Sequence, residues 1–246
     1  MRQRTLILLV GGGVFLGVAV ATLPASLITA RLGPGLRFEG VSGSIWNGSA
    51  DAVRIGNAAL GAVSWTAEPT ALLTGHFAFH VELARGSSFV RGHIVSTLAG
   101  GTVTADGVEL DVPVNPLNPA VGGGWRGEVT GTVKHATLEK GWPVELEGAF
   151  TVAKLQPPGA RVPIGSYAVE FDSQATTPTG LVGRVRDVDA PLVVRAQFIL
   201  KRDRSFSLEG DVTPKPGAPP EVAQAVAFLG APDAAGRREF VLGGTL

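Results

Sequence analysis

From Leu36 onward, apolar and polar residues alternate with a period of two, the pattern of strands that turn one face to a core and the other to water. In His76-Phe77-Ala78-Phe79-His80-Val81-Glu82-Leu83, the two Phe, Val81 and Leu83 fall on one side, and His76, His80 and Glu82 on the other. Val129, Gly131 and Val133 oppose Glu128, Thr130, Thr132 and Lys134. Leu192, Val194, Ala196, Phe198 and Leu200 oppose Arg195, Gln197 and Lys201, and Phe206, Leu208 and Val212 oppose Ser205, Ser207, Glu209 and Asp211. The connections are short. Lys201-Arg202-Asp203-Arg204 reads as a hairpin turn, and Asp106-Gly107 as a second, between Thr102–Ala105 and Val108–Val112. Pro113 to Pro119 reads as an extended loop, because proline removes ladder donors and restricts the residue before it. Pro69–Leu73 suits a single helical turn. Pro220–Leu229 suits a short helix: Pro220 fits the first turn, Glu221 complements the N-terminal dipole, and Gly230 can close the end. Val222, Val226 and Leu229 then form one apolar stripe.

A different pattern precedes the strands. Arg2 and Arg4 are followed by an uncharged run from Thr5 to Ala30, ended by Arg31. About 20 apolar residues cross a ~30 Å hydrocarbon layer as a helix, so this run is long enough even if Pro24 ends the helix. Positive charge before the run and little after it predicts an N-terminus inside and the remainder exported. Ala19-Val20-Ala21 also has the small-x-small form of a signal-peptide cleavage site, and both readings export the chain beyond residue 31. Gly13 and Gly17 have the spacing that lets two membrane helices approach closely. The predicted architecture is therefore mainly β. A transmembrane helix within residues 1–31 precedes one curved, largely antiparallel sheet domain over residues 32–246, open or sandwich-like, with one or two short helices.

Composition supports strands and turns over a helical bundle. There are 34 glycines, and charged residues are only 17% of the chain. Glycine costs a helix interior ~1 kcal/mol relative to alanine. Lys+Arg and Asp+Glu balance at 21 each, which gives no basic surface for nucleic acid. The absence of cysteine excludes disulfides, thiolate metal sites and thiol nucleophiles. Aromatic residues are 7%, too few for the girdles of an outer-membrane barrel.

Candidate chemistry is sparse. Gly122-Gly123-Gly124-Trp125-Arg126-Gly127 fits the G-x-G-x-x-G string, but a proline-rich loop precedes it and a strand comes after. Dinucleotide binding needs the strand before and a helix after. His76 and His80 share a polar strand face, where a zinc site would need a third ligand such as Glu82 or His93. Asp187 and Asp189, like Glu145 and Glu147, read as exposed strand charges. No G-x-S-x-G elbow occurs. The expectation is no enzyme, no catalytic residues, no cofactor and no metal.

The segments that stand out are not of catalytic type. Gly40-Val41-Ser42-Gly43-Ser44-Ile45-Trp46-Asn47-Gly48-Ser49-Ala50 comes soon after the apolar run. Val63-Ser64-Trp65-Thr66-Ala67-Glu68-Pro69-Thr70-Ala71-Leu72-Leu73-Thr74-Gly75 is next, and Leu229-Gly230-Ala231-Pro232-Asp233-Ala234-Ala235-Gly236-Arg237 opens the C-terminal stretch. In this order they resemble the type II secretion system protein N family. There a G-[ST]-[ILV]-W-x-G segment succeeds a membrane anchor, then W-x-x-x-P-x-x-L-L-x-G, then a terminal L-G-x-x-D-x-x-G-R. The resemblance implies an accessory inner-membrane component of the secretion machine, single-pass, with its C-terminal domain in the periplasm. It implies contacts with the inner-membrane assembly platform or the outer-membrane secretin, and no catalytic residues. Trp46, Trp65, Gly43, Gly48, Gly230 and Gly236 are its candidate structural or interface anchors. A tryptophan buries ~150–250 Å², which suits a core position, and it is also enriched at interface hot spots. A vaguer likeness to the AsmA-like group implies an alternative, an envelope lipid-binding module with an apolar groove. Phe77, Phe79, Leu192, Val194 and Phe198 would line its concave face.

Overall fold

A computed structural model describes residues 23–25, 36–55, 58–97, 100–114, 124–175 and 180–245. The predicted anchor, apart from Leu23–Ala25, and the Gly13–Gly17 spacing lie outside the described residues, as do residues 115–119 of the proline-rich loop and 120–123 after it. Among the described residues no helix is long and apolar enough to cross a membrane. The chain forms two compact units, Met1–Arg85 and Gly86–Leu246.

In the first unit, β1 (Leu36–Glu39), β3 (Asn47–Ile55), β4 (Ala58–Ala67) and β5 (His76–Arg85) lie side by side in that order, and β2 (Ser42–Gly43) extends β1 along β3. All these pairs are antiparallel. Leu23–Ala25 lies against the first motif. The Leu23 carbonyl accepts the Ile45 N–H at 2.9 Å, and Pro24 bridges to Ser44. Ala25, Ala50, Val53, Val63 and Trp65 form the core, with Phe38, Val41, Phe79, Val81 and Leu83 packed against it. The expected apolar stripe of β5 is shifted at its start. Phe77 is 37% exposed, and Ala78 on the other face is 4% exposed. A 3₁₀ turn, Pro69–Thr74, packs against β5, and the Glu68 N–H bonds the Ala78 carbonyl at 2.8 Å. A returning turn has covered one position of the polar face.

The second unit is an antiparallel meander in chain order: β6 (Ser88–Thr97), β7 (Thr102–Pro113), β8 (Arg126–Glu139), β9 (Trp142–Gln156), β10 (Gly165–Phe171), β11 (Gly180–Asp189), β12 (Leu192–Lys201), β13 (Ser205–Pro214) and β14 (Arg238–Thr245). Its strands form one layer, not a sandwich. Alternation assigns the faces: Val129, Val133, Leu192, Val194, Ala196 and Val212 are buried on one side, while Glu128, Lys134, Arg195 and Glu209 on the other are exposed. Turn chemistry obeys local rules. Lys140 and Gly141 both take positive φ (51° and 78°), as a two-residue hairpin needs. The β12–β13 connection closes with Arg204 left-handed at φ 68°, while the Asp203 carboxylate accepts the Ser205 N–H at 2.9 Å.

Asp106-Gly107 is not a hairpin. It lies inside the continuous strand β7, where Arg91 pairs Glu109 and His93 pairs Asp106. Two residues of β7 therefore oppose one of β6. Gly107, at φ 58°, is the extra residue of a β-bulge. The same left-handed glycine serves a turn or a bulge, and the strands on each side decide which.

A helix, α1 (Pro220–Ala227), lies between β13 and β14 and packs on β13. Val222 and Val226 are 6% and 5% exposed. Burying each contributes about 1.5–3 kcal/mol relative to leaving it in water. Leu229, expected to complete the stripe, is 43% exposed beyond the helix end.

Candidate functional site

The first motif folds into a turn bound to a buried tryptophan. Ser44 Oγ accepts the N–H groups of Trp46 and Asn47, both at 3.2 Å, and the Ser44 N–H donates to the Asn47 carbonyl at 2.9 Å. Side-chain capping of this kind is what serine offers in a tight turn. Trp65 is 8% exposed, and its indole Nε1–H donates to the Ile45 carbonyl at 3.2 Å. Trp46 is half-buried, and its carbonyl accepts the Ala67 N–H at 2.7 Å. Gly43 sits at φ 82°, and a Cβ there would meet the Asn47 carbonyl at 2.5 Å. A Cβ on Gly48 would meet Trp65 Cζ2 at 2.5 Å. Gly43, Gly48 and Trp65 are thus bound to each other through one turn, and Trp46 belongs to the same turn.

The C-terminal motif is a second turn, built on Asp233. Its carboxylate accepts the Ala235 N–H at 2.9 Å, the Arg237 N–H at 2.8 Å and the Arg237 Nε–H at 2.9 Å. The Arg237 N–H bond, with help from the other donors and the Arg237 charge, outweighs desolvation and holds the Asp233 carboxyl below its usual range. Gly236 takes φ 77°, and Gly230 takes φ 110° with its carbonyl receiving Arg238 Nε–H at 2.9 Å. This turn delivers the chain into β14. Asp233 and Arg237 carry the geometry; both stand in the motif, but the sequence singled out Gly230 and Gly236 instead.

The second unit holds an open apolar trough of about 680 Å³. An aromatic ladder runs along the inner face, and its first three rings line the trough: Phe150 meets Phe171 at 6.0 Å between ring centres, Phe171 meets Phe198 at 6.3 Å, and Phe198 meets Phe206, outside the lining, at 5.9 Å. Glycines make room for it. Gly183 pairs with both Phe171 and Phe198 across β11, and a Cβ on Gly183 would lie 2.8 Å from the Phe171 ring. Gly131 stands in the same relation to Phe150, and Gly244 to Phe206. Each ring lies over a neighbouring bare backbone. Val222, Ala225 and Val226 of α1 and Phe240 and Leu242 of β14 complete the lining. Leu192, Val194 and Phe198 line it as expected from the alternation, whereas Phe77 and Phe79 lie in the first unit.

Buried polar groups at the trough are matched. Tyr167 O–H donates to the Ile164 carbonyl at 2.9 Å, and burial, with the Asp187 charge, pushes its pKa up to about 12. Asp187 is not the exposed strand charge its sequence suggests, since its side chain is 17% exposed. Burial pushes its carboxyl up. The Lys215 ammonium at 2.7 Å and the Val194 N–H at 3.0 Å outweigh that and hold it below the usual range. Asp187 lies across from Tyr167 in the β10–β11 register, and the fold brings Lys215 to it.

His76 Nδ1 meets Thr74 Oγ1 at 3.3 Å, and His80 Nδ1 meets Glu68 at 3.2 Å, so these two β5 rings have separate partners at the two ends of the 3₁₀ turn. His135 touches Asp106 at 2.6 Å and Thr137 at 3.2 Å, an acid–base–hydroxyl order. Thr137, however, gives its proton to Glu145 at 2.9 Å and is not activated by the histidine. The Gly-rich stretch ends in a turn that enters β8, with Gly127 at φ 146° against the Ala153 carbonyl.

Residues 34–241 match the family described as Type II secretion system (T2SS), protein N. The type II secretion system protein N of Aeromonas hydrophila is 26% identical over 255 residues, covering 96% of this chain and 96% of that protein. The protein of the same name from Vibrio cholerae serotype O1 is 26% identical over 230 residues, 90% of each chain. No solved structure matches. The match takes in the Trp65-bound turn, the trough and the Asp233 turn, and on that basis the chain belongs to the type II secretion system protein N family.

Proposed function

We propose that this protein is an accessory component of the type II secretion machinery, tethered to the inner membrane by its N-terminal apolar run. Its β units stand in the periplasm and act through contact with other proteins of the machine, not through catalysis. The observation that carries the reading is the family match over residues 34–241. The outer edge of β14 is the surface suited to such contact. Among the described residues β14 pairs with β13 alone, so its second edge offers unpaired N–H and C=O groups to a partner strand. Val241 and Leu242 on it are 72% and 56% exposed. The inner-membrane assembly platform and the outer-membrane secretin are the partners this reading names. The test is site-specific photocrosslinking from Val241 of the full chain in secreting cells. Adducts with machine components support the reading. Recovery of none of them, with secretion unchanged when the protein is deleted, rejects it.

A further inference from the structure

We propose that the end of the first unit that carries the 3₁₀ turn rests on the bilayer surface, with Leu73 inserted at the boundary between headgroups and acyl chains. The inference deepens the tethered reading above and rests on it. Leu73 is 88% exposed. The turn that presents it is closed by its own hydrogen bonds. The Ala71 N–H donates to the Glu68 carbonyl at 3.1 Å, the Gly75 N–H to the Leu72 carbonyl at 3.1 Å, and Thr74 Oγ1 to the Ala71 carbonyl at 2.9 Å. Leu73 is therefore held out in solvent, and only an apolar partner outside the unit can take it from water.

The course of the chain supplies that partner. The Leu23 carbonyl accepts the Ile45 N–H at 2.9 Å, the Ala25 N–H donates to the Gly43 carbonyl at 3.3 Å, and Ala25 is 1% exposed. Residues 23–25 thus belong to the folded unit, and residues 5–22 are the uncharged run left for the membrane. About 18 residues span ~27 Å as a helix, slightly less than the ~30 Å hydrocarbon layer. A run of that length, joined to the unit without a linker, draws the Ser44 turn against the bilayer interface. The 3₁₀ turn stands at the same end. The Ala67 N–H, at the close of β4, donates to the Trp46 carbonyl at 2.7 Å, and the chain passes through Glu68 straight into Pro69. Trp46, half-buried at this end, is of a type enriched where a bilayer meets water. Charge is placed to match. Residues 23–25, 41–50 and 69–75 contain no Asp, Glu, Lys or Arg, and Glu68 is met by His80 Nδ1 at 3.2 Å. Among the described residues of this unit the other charges, Arg37, Glu39, Asp51, Arg54, Glu82 and Arg85, stand further along the strands, away from this end. A lipid interface accepts leucine and tryptophan and disfavours unpaired charge, which is the chemistry of this end alone.

The test uses the full chain in nanodiscs of phosphatidylethanolamine and phosphatidylglycerol. The chain has no cysteine of its own, so Leu73→Cys and Ala84→Cys each carry a single environment-sensitive fluorophore. Ala84 is exposed near the other end of β5. Spin-labelled lipids in the nanodisc should quench the label at position 73 and spare the one at position 84, and aqueous iodide should do the reverse. With the label moved to Thr70→Cys, Leu73→Asp should lower the docked-to-free ratio about tenfold. It should leave the unfolding midpoint unchanged, because the side chain it replaces is exposed. Iodide access to both positions in nanodisc-bound protein overturns the docking and leaves the tether standing. A label at position 73 that is shielded from iodide yet unquenched by lipid also overturns it, because a polypeptide then covers the turn. Protein that does not co-elute with the nanodiscs rejects the tether, and the docking falls with it.

Discussion

Replacing Gly48 by alanine tests whether the first motif is a packing device. The added Cβ would sit 2.5 Å from Trp65 Cζ2, 2.8 Å from the Ser44 carbonyl and 2.9 Å from the Ser42 carbonyl. Two of these neighbours are backbone atoms of the turn and cannot swing aside. The third is a ring whose nitrogen is held by Ile45 at 3.2 Å and which packs in a core where Ala25 and Ala50 are each 1% exposed. Overpacking of this kind costs about 1–3 kcal/mol. Alanine returns ~0.4–1 kcal/mol by restricting the unfolded chain. The net expectation is a loss of ~1–2 kcal/mol. The assay is denaturant unfolding of the full chain monitored by tryptophan fluorescence. Gly243→Ala is the reference, because that site meets only the Phe206 carbonyl at 3.2 Å and should change stability by less than ~0.5 kcal/mol. Trp65→Phe removes the Cζ2 atom, so the Gly48→Ala penalty should shrink in that background, a coupling of ~0.5–3 kcal/mol between touching residues. If Gly48→Ala is neutral or stabilising, or costs the same with and without Trp65→Phe, the turn is not held as described and Gly48 must serve something outside it.

Tyr167 is the single tyrosine of the chain, so tyrosinate absorbance reports it alone. With a folded pKa near 12, above the ~10 of the unfolded side chain, ionisation should lag that of free tyrosine, and Asp187→Asn should bring it earlier. Because its acid form is the one favoured by folding, that stabilisation is complete below pH ~10 and is lost as pH rises through the folded value. Asp187 has the opposite sign. Its lowered pKa stabilises the fold above ~3.9, and the gain is lost as pH falls through the folded value. Lys215→Met should therefore lower the unfolding midpoint at neutral pH, with the difference from wild type closing below pH ~4. Asp233→Ala removes three hydrogen bonds that lead into β14, so hydrogen exchange of the β14 amides should quicken while β8–β9 amides keep their protection. Unchanged exchange in β14 would show that the turn does not position the strand.

The sequence by itself determined most strand faces (the start of β5 and Asp187 excepted), the short helix between β13 and β14, and the order of the motif segments. Side chains alternate along any strand, so Leu192, Val194 and Phe198 share a face wherever the strand lies. Turn residues such as Asp203 act within a few positions of themselves and are legible for the same reason. Only the tertiary structure decided what depends on register. Asp106-Gly107 looks like a hairpin from inside its own segment, and becomes a bulge because β6 and β8 pair along the whole of β7. Gly131, Gly183 and Gly244 read as loose residues in strands until register sets each against a phenylalanine of a neighbouring strand. The trough and the Asp187–Lys215 pair have the same origin. They join residues distant in the chain, and a period of two states which way a side chain points but not what it meets.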